Sequence, residues 1–282
     1  MPIDLNLSIS ENEYIEIRDL VYAKSGIWLG ENKKGLVKAR LAKRIRTFNF
    51  KSFKEYQQFI LKEENSDELI EVINAISTNV TSFFREPEHF QLLEQVILPE
   101  IVERKSKAGQ KKIRIWSAAC SSGEEVYTIL MILREYFRDD HSWDIRVLGT
   151  DISTKVLGIA KKGCYDQEKI KDLPVHLRKK YFNKFYDDGR EIYSVSEEIK
   201  KMATFARFNL MDEKFAFQSK LDIIFCRNAM IYFDLESRKC LVKKIFDSID
   251  KIGYFFIGHS ESLIGLPSDF KIVSPAVYKK IL

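Results

Sequence analysis

Residues 113–151 read IRIWSAACSSGEEVYTILMILREYFRDDHSWDIRVLGTD, and this stretch decides the fold. Ile113–Ala119 is a short apolar run of strand length. Glu124–Phe137 carries its apolar residues at helical spacing. Ile145–Gly149 is a second short run, and Ser153 is placed to cap a helix through Ala160. The same rhythm resumes further on. Leu221–Cys226 is nearly all apolar, as expected of a strand buried on both faces. Asp234 is placed to cap a long helix ending near Gly253, and Tyr254–Ile257 and Val277–Leu282 read as two more strands. Strands alternating with helices predict an α/β fold with a doubly wound, mainly parallel sheet.

Outward from this core, residues 1–76 read as a helical domain. Ser10 with Glu13 forms a capping box, after which Ile17, Leu20 and Val21 keep helical spacing up to Gly26. Val37, Leu41 and Ile45 recur every four residues. Ser52 with Glu55 makes a second box before Phe53, Tyr56, Phe59 and Ile60, and Leu69, Val72, Ile73 and Ile76 form another stripe. Residues 77–86 are a polar linker, and Pro87 suits the first turn of a helix bearing Phe90, Leu93 and Ile97. Residues 87–282 form the second domain. About residues 163–206 interrupt its rhythm. Asp187-Asp188-Gly189 between two aromatic segments predicts a hairpin, hence a small antiparallel insert.

Composition narrows the class. The chain has 282 residues, 45% apolar and 31% charged, enough for a sizeable core and unlike a disordered chain. No apolar stretch has the roughly 18 residues of a membrane span. Residues 1–10 lack the pattern of a secretory signal. The four cysteines form no CxxC pair, which argues against a zinc site and for reduced thiols in a cytoplasmic protein. A net charge of +5 permits an acidic partner without demanding nucleic acid.

In an open parallel sheet, ligands sit at the carboxyl ends of strands near the point where strand order reverses. The first strand ends in Ala118-Ala119-Cys120-Ser121-Ser122-Gly123-Glu124-Glu125. Small residues there admit a ligand close to the backbone. The second ends in Gly149-Thr150-Asp151, and an acid at that place can accept hydrogen bonds from ribose hydroxyls. The loop is no GxGxxG, and its acidic pair would repel phosphate, which tells against NAD or FAD. A nucleoside without phosphate, such as S-adenosylmethionine (SAM), suits it. A strand-to-helix turn with a solvent-facing Glu pair would look the same.

Four segments resemble the chemotaxis receptor methyltransferases, the CheR family. They are Asn79-Val80-Thr81-Ser82-Phe83-Phe84-Arg85, Trp116 through Glu125, Phe225-Cys226-Arg227-Asn228-Ala229-Met230-Ile231-Tyr232-Phe233, and Gly258-His259-Ser260-Glu261-Ser262. They stand in the family's order and span nearly the whole chain. One departure is Val126, where the family often has Pro. The resemblance implies a Rossmann-like SAM-dependent methyltransferase domain with a small antiparallel β insert, behind a helical N-terminal domain. It implies methyl transfer from SAM to glutamate side-chain carboxylates of chemotaxis receptors, giving methyl esters and S-adenosylhomocysteine, with no metal. It implies a cytoplasmic enzyme recruited to membrane receptors, acting on their cytoplasmic helices, with a receptor tail peptide as a partner of the insert in some members. Neither nucleic acid nor membrane insertion is expected.

The resemblance also implies roles. Arg85 and Tyr232 lie near the reacting methyl and carboxylate. Asn79, Thr81, Arg85, Glu125, Asp151, Asn209, Leu210, Arg227 and Asn228 contact the cofactor, with Glu124 competing for the place of Glu125. His259, Ser260 and Glu261 are adjacent and cannot form a hydrolytic triad by themselves, so a structural turn is expected. Lys33 to Lys54 holds nine basic residues and no acidic one. Lys38, Arg40, Lys43 and Arg44 are the candidates for docking acidic receptor helices. A nucleic-acid methyltransferase and a non-catalytic receptor-binding module are the rival readings.

Overall fold

The computed structural model describes residues 7–138, 140–266 and 269–281. The expected helical domain begins with residues outside this range, and the last residue of the expected final strand, Leu282, also lies outside it. Helix α1 (Glu11–Ser25) opens on the reciprocal Ser10–Glu13 box: the Glu13 N–H donates to Ser10 Oγ at 3.3 Å, and the Ser10 N–H donates to the Glu13 carboxylate at 2.7 Å. It ends at Gly26, which is left-handed (φ 72°) and abuts the Met211 side chain where a Cβ would sit. Both facts require glycine. Helices α2 (Lys34–Thr47), α3 (Phe53–Ile60) and α4 (Ser66–Ile76) follow. Val37, Leu41 and Ile45 of α2 are buried among Tyr14, Ile17, Phe53, Tyr56 and Val72, so the four-residue recurrence marks a core stripe. Ser52 caps α3, but the Glu55 carboxylate takes the N–H of Lys51 instead of closing a box on Ser52.

The rest of the chain begins with one helical run, α5 (Pro87–Leu92) and α6 (Leu98–Lys107) joined by a wider π turn at Leu93–Ile97. Then come β1 (Lys112–Ala118), α7 (Glu124–Phe137), β2 (Asp144–Asp151) and α8 (Thr154–Lys162). An insert follows, with β3 (Cys164–Asp166), α9 (Gln167–Ile170), α10 (Val175–Tyr181), β4 (Phe182–Asp187), β5 (Arg190–Val195) and α11 (Glu197–Lys200). The chain closes with β6 (Ala203–Arg207), β7 (Leu221–Phe225), α12 (Leu235–Ser248), β8 (Ile249–Phe256), β9 (Phe270–Ser274) and β10 (Val277–Lys280).

The main sheet has seven strands in the order β6-β2-β1-β7-β8-β10-β9. The first five are parallel, while β10 and β9 are antiparallel additions. Strand order reverses at β1, which pairs with β2 on one side and β7 on the other. Ile113, Ile115, Ile223 and Phe225 pack on one face under α5–α7. Trp116, Ile224 and Phe255 pack on the other under α12. The insert is a separate sheet, β3-β5-β4, whose hairpin turns at Asp188 (φ 46°) and Gly189 (φ 75°). No described helix is long and apolar enough to cross a membrane. Cys120 and Cys226, at the ends of apolar runs, are buried.

Several local expectations need correction. Ala203–Arg207 is a strand of the main sheet paired with β2, so the insert ends earlier than its expected limit near residue 206. The long helix after Asp234 stops at Ser248, and β8 begins at once. Gly253 is a strand residue there, because a Cβ would come within 2.9 Å of the Asp222 carbonyl beside a register shift in β7–β8. Ser153 stands at the start of α8, but its hydroxyl makes no capping bond. Strand β9 was missed because it is a short edge with little burial.

At the amino ends of β1 and β7 lies a buried pair: Lys105 Nζ is 2.7 Å from Asp222 Oδ1 and donates at 2.7 Å to the Lys112 carbonyl. The Arg114 N–H donates to Asp222 Oδ2 at 2.9 Å. Removing one partner strands a buried charge, at a cost of about 3–5 kcal/mol. Asp222→Ala should therefore lower unfolding free energy by about that amount in a urea titration, and Lys105→Met/Asp222→Leu should recover part of the loss.

Candidate functional site

A cavity of about 410 Å³ opens at the carboxyl ends of β1, β2, β6 and β7, beside the reversal of strand order. Its floor is the main sheet's loops: Ala119–Ser121 after β1, Asp151–Ile152 after β2, Phe208–Leu210 after β6 and Arg227–Ala229 after β7. Its roof is contributed by Ser25 to Leu29, Lys33 and Leu36 of the helical part and by the linker from Ser77 to Arg85. Asn79, Thr81, Arg85, Glu125, Asp151, Asn209, Leu210, Arg227, Asn228 and Tyr232 all line it. Lys38, Arg40, Lys43 and Arg44 do not.

The backbone around the cavity is bent to expose small groups. Ala119 (φ 60°), Ser121 (φ 50°) and Asn228 (φ 57°) are left-handed without being glycine, a conformation that costs free energy and gathers at ligand sites. Asp151 is buried at the tip of β2. Its Oδ2 accepts from the Ser121 N–H and its Oδ1 from the Ser153 N–H, both at 2.9 Å, which leaves further lone pairs for a ligand. Burial raises its pKa against the pull of these amides. The Ser121 hydroxyl donates to the Asn79 carbonyl at 3.0 Å and so ties the linker to β1. Asn209 is a clamp between the two parts of the chain: its amide donates to the Lys24 carbonyl at 3.0 Å. The Trp28 N–H reaches the Tyr232 carbonyl at 2.8 Å.

One buried cation organises the charges. Arg227 pairs with Glu86 Oε2 at 2.9 Å through Nη2 and with Glu125 Oε2 at 3.0 Å through Nη1, and it donates to the Arg85 carbonyl. Ser117 Oγ donates to the other oxygen of Glu125 at 2.6 Å. Burial would raise the Glu86 carboxyl, but Arg227 overrides it and holds the group below the usual carboxylate range. Glu124 points elsewhere. It is fully buried, paired with Lys169 at 3.0 Å and bonded to the Ser122 hydroxyl, so Glu125 is the member of the pair that faces the cavity. Among the described residues the Arg85 guanidinium donates to the Val80 carbonyl at 2.9 Å.

The docking segment is narrower than expected. Arg40 donates to the Ile76 and Ser77 carbonyls and so closes the end of α4. Arg44 forks onto the buried Glu68, which also accepts from the Tyr56 hydroxyl. These two side chains are engaged inside the helical part, leaving Lys38 and Lys43 as the docking candidates of the original four.

Two functional positions were missed in the sequence, Glu86 and Glu261. Glu86 stands directly after the Arg85 segment, and its partners Arg227, Asn228 and His259 are all distant in sequence. The His259-Ser260-Glu261 turn forms no triad, as expected, but Glu261 is more than a turn residue. Its carboxylate accepts from the N–H groups of Gly258 (2.6 Å), Met230 (2.7 Å), Asn228 (2.9 Å) and Ile231 (3.3 Å). It thereby shapes the loop that presents Asn228 and Tyr232. Glu261→Leu should leave these donors unpaired and cost about 2 kcal/mol of stability in a denaturant titration. Glu261→Gln, which keeps one oxygen, should cost less.

With this geometry in view, the likeness to known proteins is close. Residues 12–77 match the family model "CheR methyltransferase, all-alpha domain", and residues 79–279 match "CheR methyltransferase, SAM binding domain". A chemotaxis protein methyltransferase of Borreliella burgdorferi is 44% identical over 278 residues, covering 98% of this chain and 97% of that protein. One from Escherichia coli is 32% identical over 273 residues, covering 96% and 92%. A probable chemotaxis protein methyltransferase of Rhizobium etli is 35% identical over 246 residues, covering 87% and 91%. The seven-stranded sheet, the cavity at its reversal point and the helical roof are therefore those of a SAM-dependent methyltransferase, and the chain belongs to the CheR family.

Proposed function

We propose that this enzyme transfers the methyl group of SAM to glutamate side-chain carboxylates on the cytoplasmic helices of chemotaxis receptors, leaving methyl esters and S-adenosylhomocysteine. The single observation that carries this reading is a cavity in which a buried acid with free lone pairs, Asp151, lies at the reversal of strand order while Arg85 stands on the wall above.

The residues present fit the cofactor. Asp151 would accept from the ribose hydroxyls. Leu210 and Asn209 would border the adenine, and Asn79, Thr81, Glu125, Arg227 and Asn228 would line the rest. SAM supplies a methyl group on a sulfonium, which leaves as a neutral thioether. A glutamate carboxylate is ionised at pH 7, so the acceptor needs no strong base. The protein's work is therefore placement and exclusion of water. Arg85 holds the incoming carboxylate through charge-assisted hydrogen bonds, and Tyr232 orients it from the opposite loop.

Cytoplasmic location and recruitment to membrane receptors follow from this reading. Lys38 and Lys43 would draw the acidic receptor helices by long-range attraction. A receptor tail peptide would dock on the insert, where β4 pairs only with β5 and exposes Phe185 and Tyr186.

The direct test mixes the purified protein with methyl-labelled SAM and receptor-bearing membranes. Alkali-labile label on receptor protein is the expected result. Cofactor binding with no transfer to protein would overturn the reading in favour of a binding module, and label on nucleic acid would favour the other rival. Asp151→Ala should weaken SAM binding roughly 10- to 100-fold by calorimetry, from lost hydrogen bonds to a charged group. Arg85→Ala should lower turnover more than SAM affinity; equal loss of both would make Arg85 a binding residue.

A further inference from the structure

Behind the cavity wall, where the linker enters α5, a second group of side chains converges. Glu86, His89 and His259 each offer a ligand atom, and these atoms all lie within 4.8 Å of one another. His89 is only 2% exposed, and neither ring nitrogen has a hydrogen-bond partner among the described residues. Its ring is clamped edge-on between Phe256 and His259, with centroid distances of 5.5 and 4.6 Å. Its Nδ1 faces Glu86 Oε2 at 3.4 Å. The backbone N–H of His259 donates to Glu86 Oε1 at 3.3 Å, so the three residues are already held together.

The geometry points to a binding site for a borderline divalent transition-metal ion, of the zinc, nickel or cobalt type, formed by Glu86, His89 and His259. A tetrahedral ion with bonds of about 2.0–2.2 Å to nitrogen and oxygen places its ligand atoms about 3.3 Å apart. Small side-chain movements close the observed spacing to that value. Two imidazoles and one carboxylate form a donor set that such ions favour over magnesium or calcium. Arg227 stands close by, but Glu86 and Glu125 both pair with it. His259 is exposed, so the ion has a path from solvent and an open position for water. Methyl transfer needs no metal, and this site is assigned no step in it.

Only four histidines occur in the chain, which makes the test clean. Nickel and cobalt ions are titrated into the full-length protein, in a Cys164→Ser/Cys240→Ser background that removes the accessible thiols. Affinity is read by competition with a chromophoric chelator and by the visible spectrum of bound cobalt. One equivalent should bind, with affinity falling at least tenfold in His89→Gln and in His259→Gln. His141→Gln and His176→Gln should leave it unchanged. Because His259 is exposed, its variant reports even where His89→Gln fails to fold. Absence of binding in the parent protein, or binding that survives His259→Gln undiminished, overturns the proposal.

Discussion

The guanidinium of Arg227 is the constraint on which the functional end of this molecule depends. It is a cation almost wholly removed from water, and it is tolerable there because two carboxylates and a carbonyl surround it. The cation and its partners come from three places. Glu86 and the Arg85 carbonyl belong to the linker, Glu125 to the first turn of α7, and Arg227 itself to the end of β7. One side chain thus sets the distance between the linker and the two central strands. The cavity is what remains between them.

Glu261 does the complementary work on the backbone. An anion among four amide donors holds the 226–232 loop in a shape that includes the left-handed Asn228. Tyr232, which lines the cavity, is then carried on a loop held by these bonds.

Much of this was legible in the sequence wherever a local pattern had one physical solution. The βαβ core at residues 113–151, the capping box at Ser10 and the Asp188–Gly189 hairpin all follow from short-range rules. The candidate cavity residues were legible through family motifs, and the structure gathers all ten around one space. What was not legible depends on partners distant in the chain. Whether Arg40 and Arg44 face solvent is decided by carbonyls at the end of α4 and by Glu68, and nothing in the basic run announces them. Gly253 looked like a helix stop because glycine ends helices and also permits close strand packing. Ala203–Arg207 looked like part of the insert because strand pairing with β2 leaves no mark in its own five residues. Glu86 and Glu261 were silent for the same reason: a carboxylate's role is written in what it binds.

The roof of the cavity comes from the helical part and the linker, whereas the floor comes from the sheet. Polar ties join the two parts, among them Tyr22 to Asp234, Asn74 to Thr154 and, at the cavity wall, Asn209 to the Lys24 carbonyl. A small molecule lodged between roof and floor touches both. Its binding free energy is then also cohesion between the two parts, and by linkage anything that eases them apart must loosen its hold on that molecule. On the proposed reading SAM would be the pin of a clasp, and reloading and opening would be one equilibrium seen from two sides.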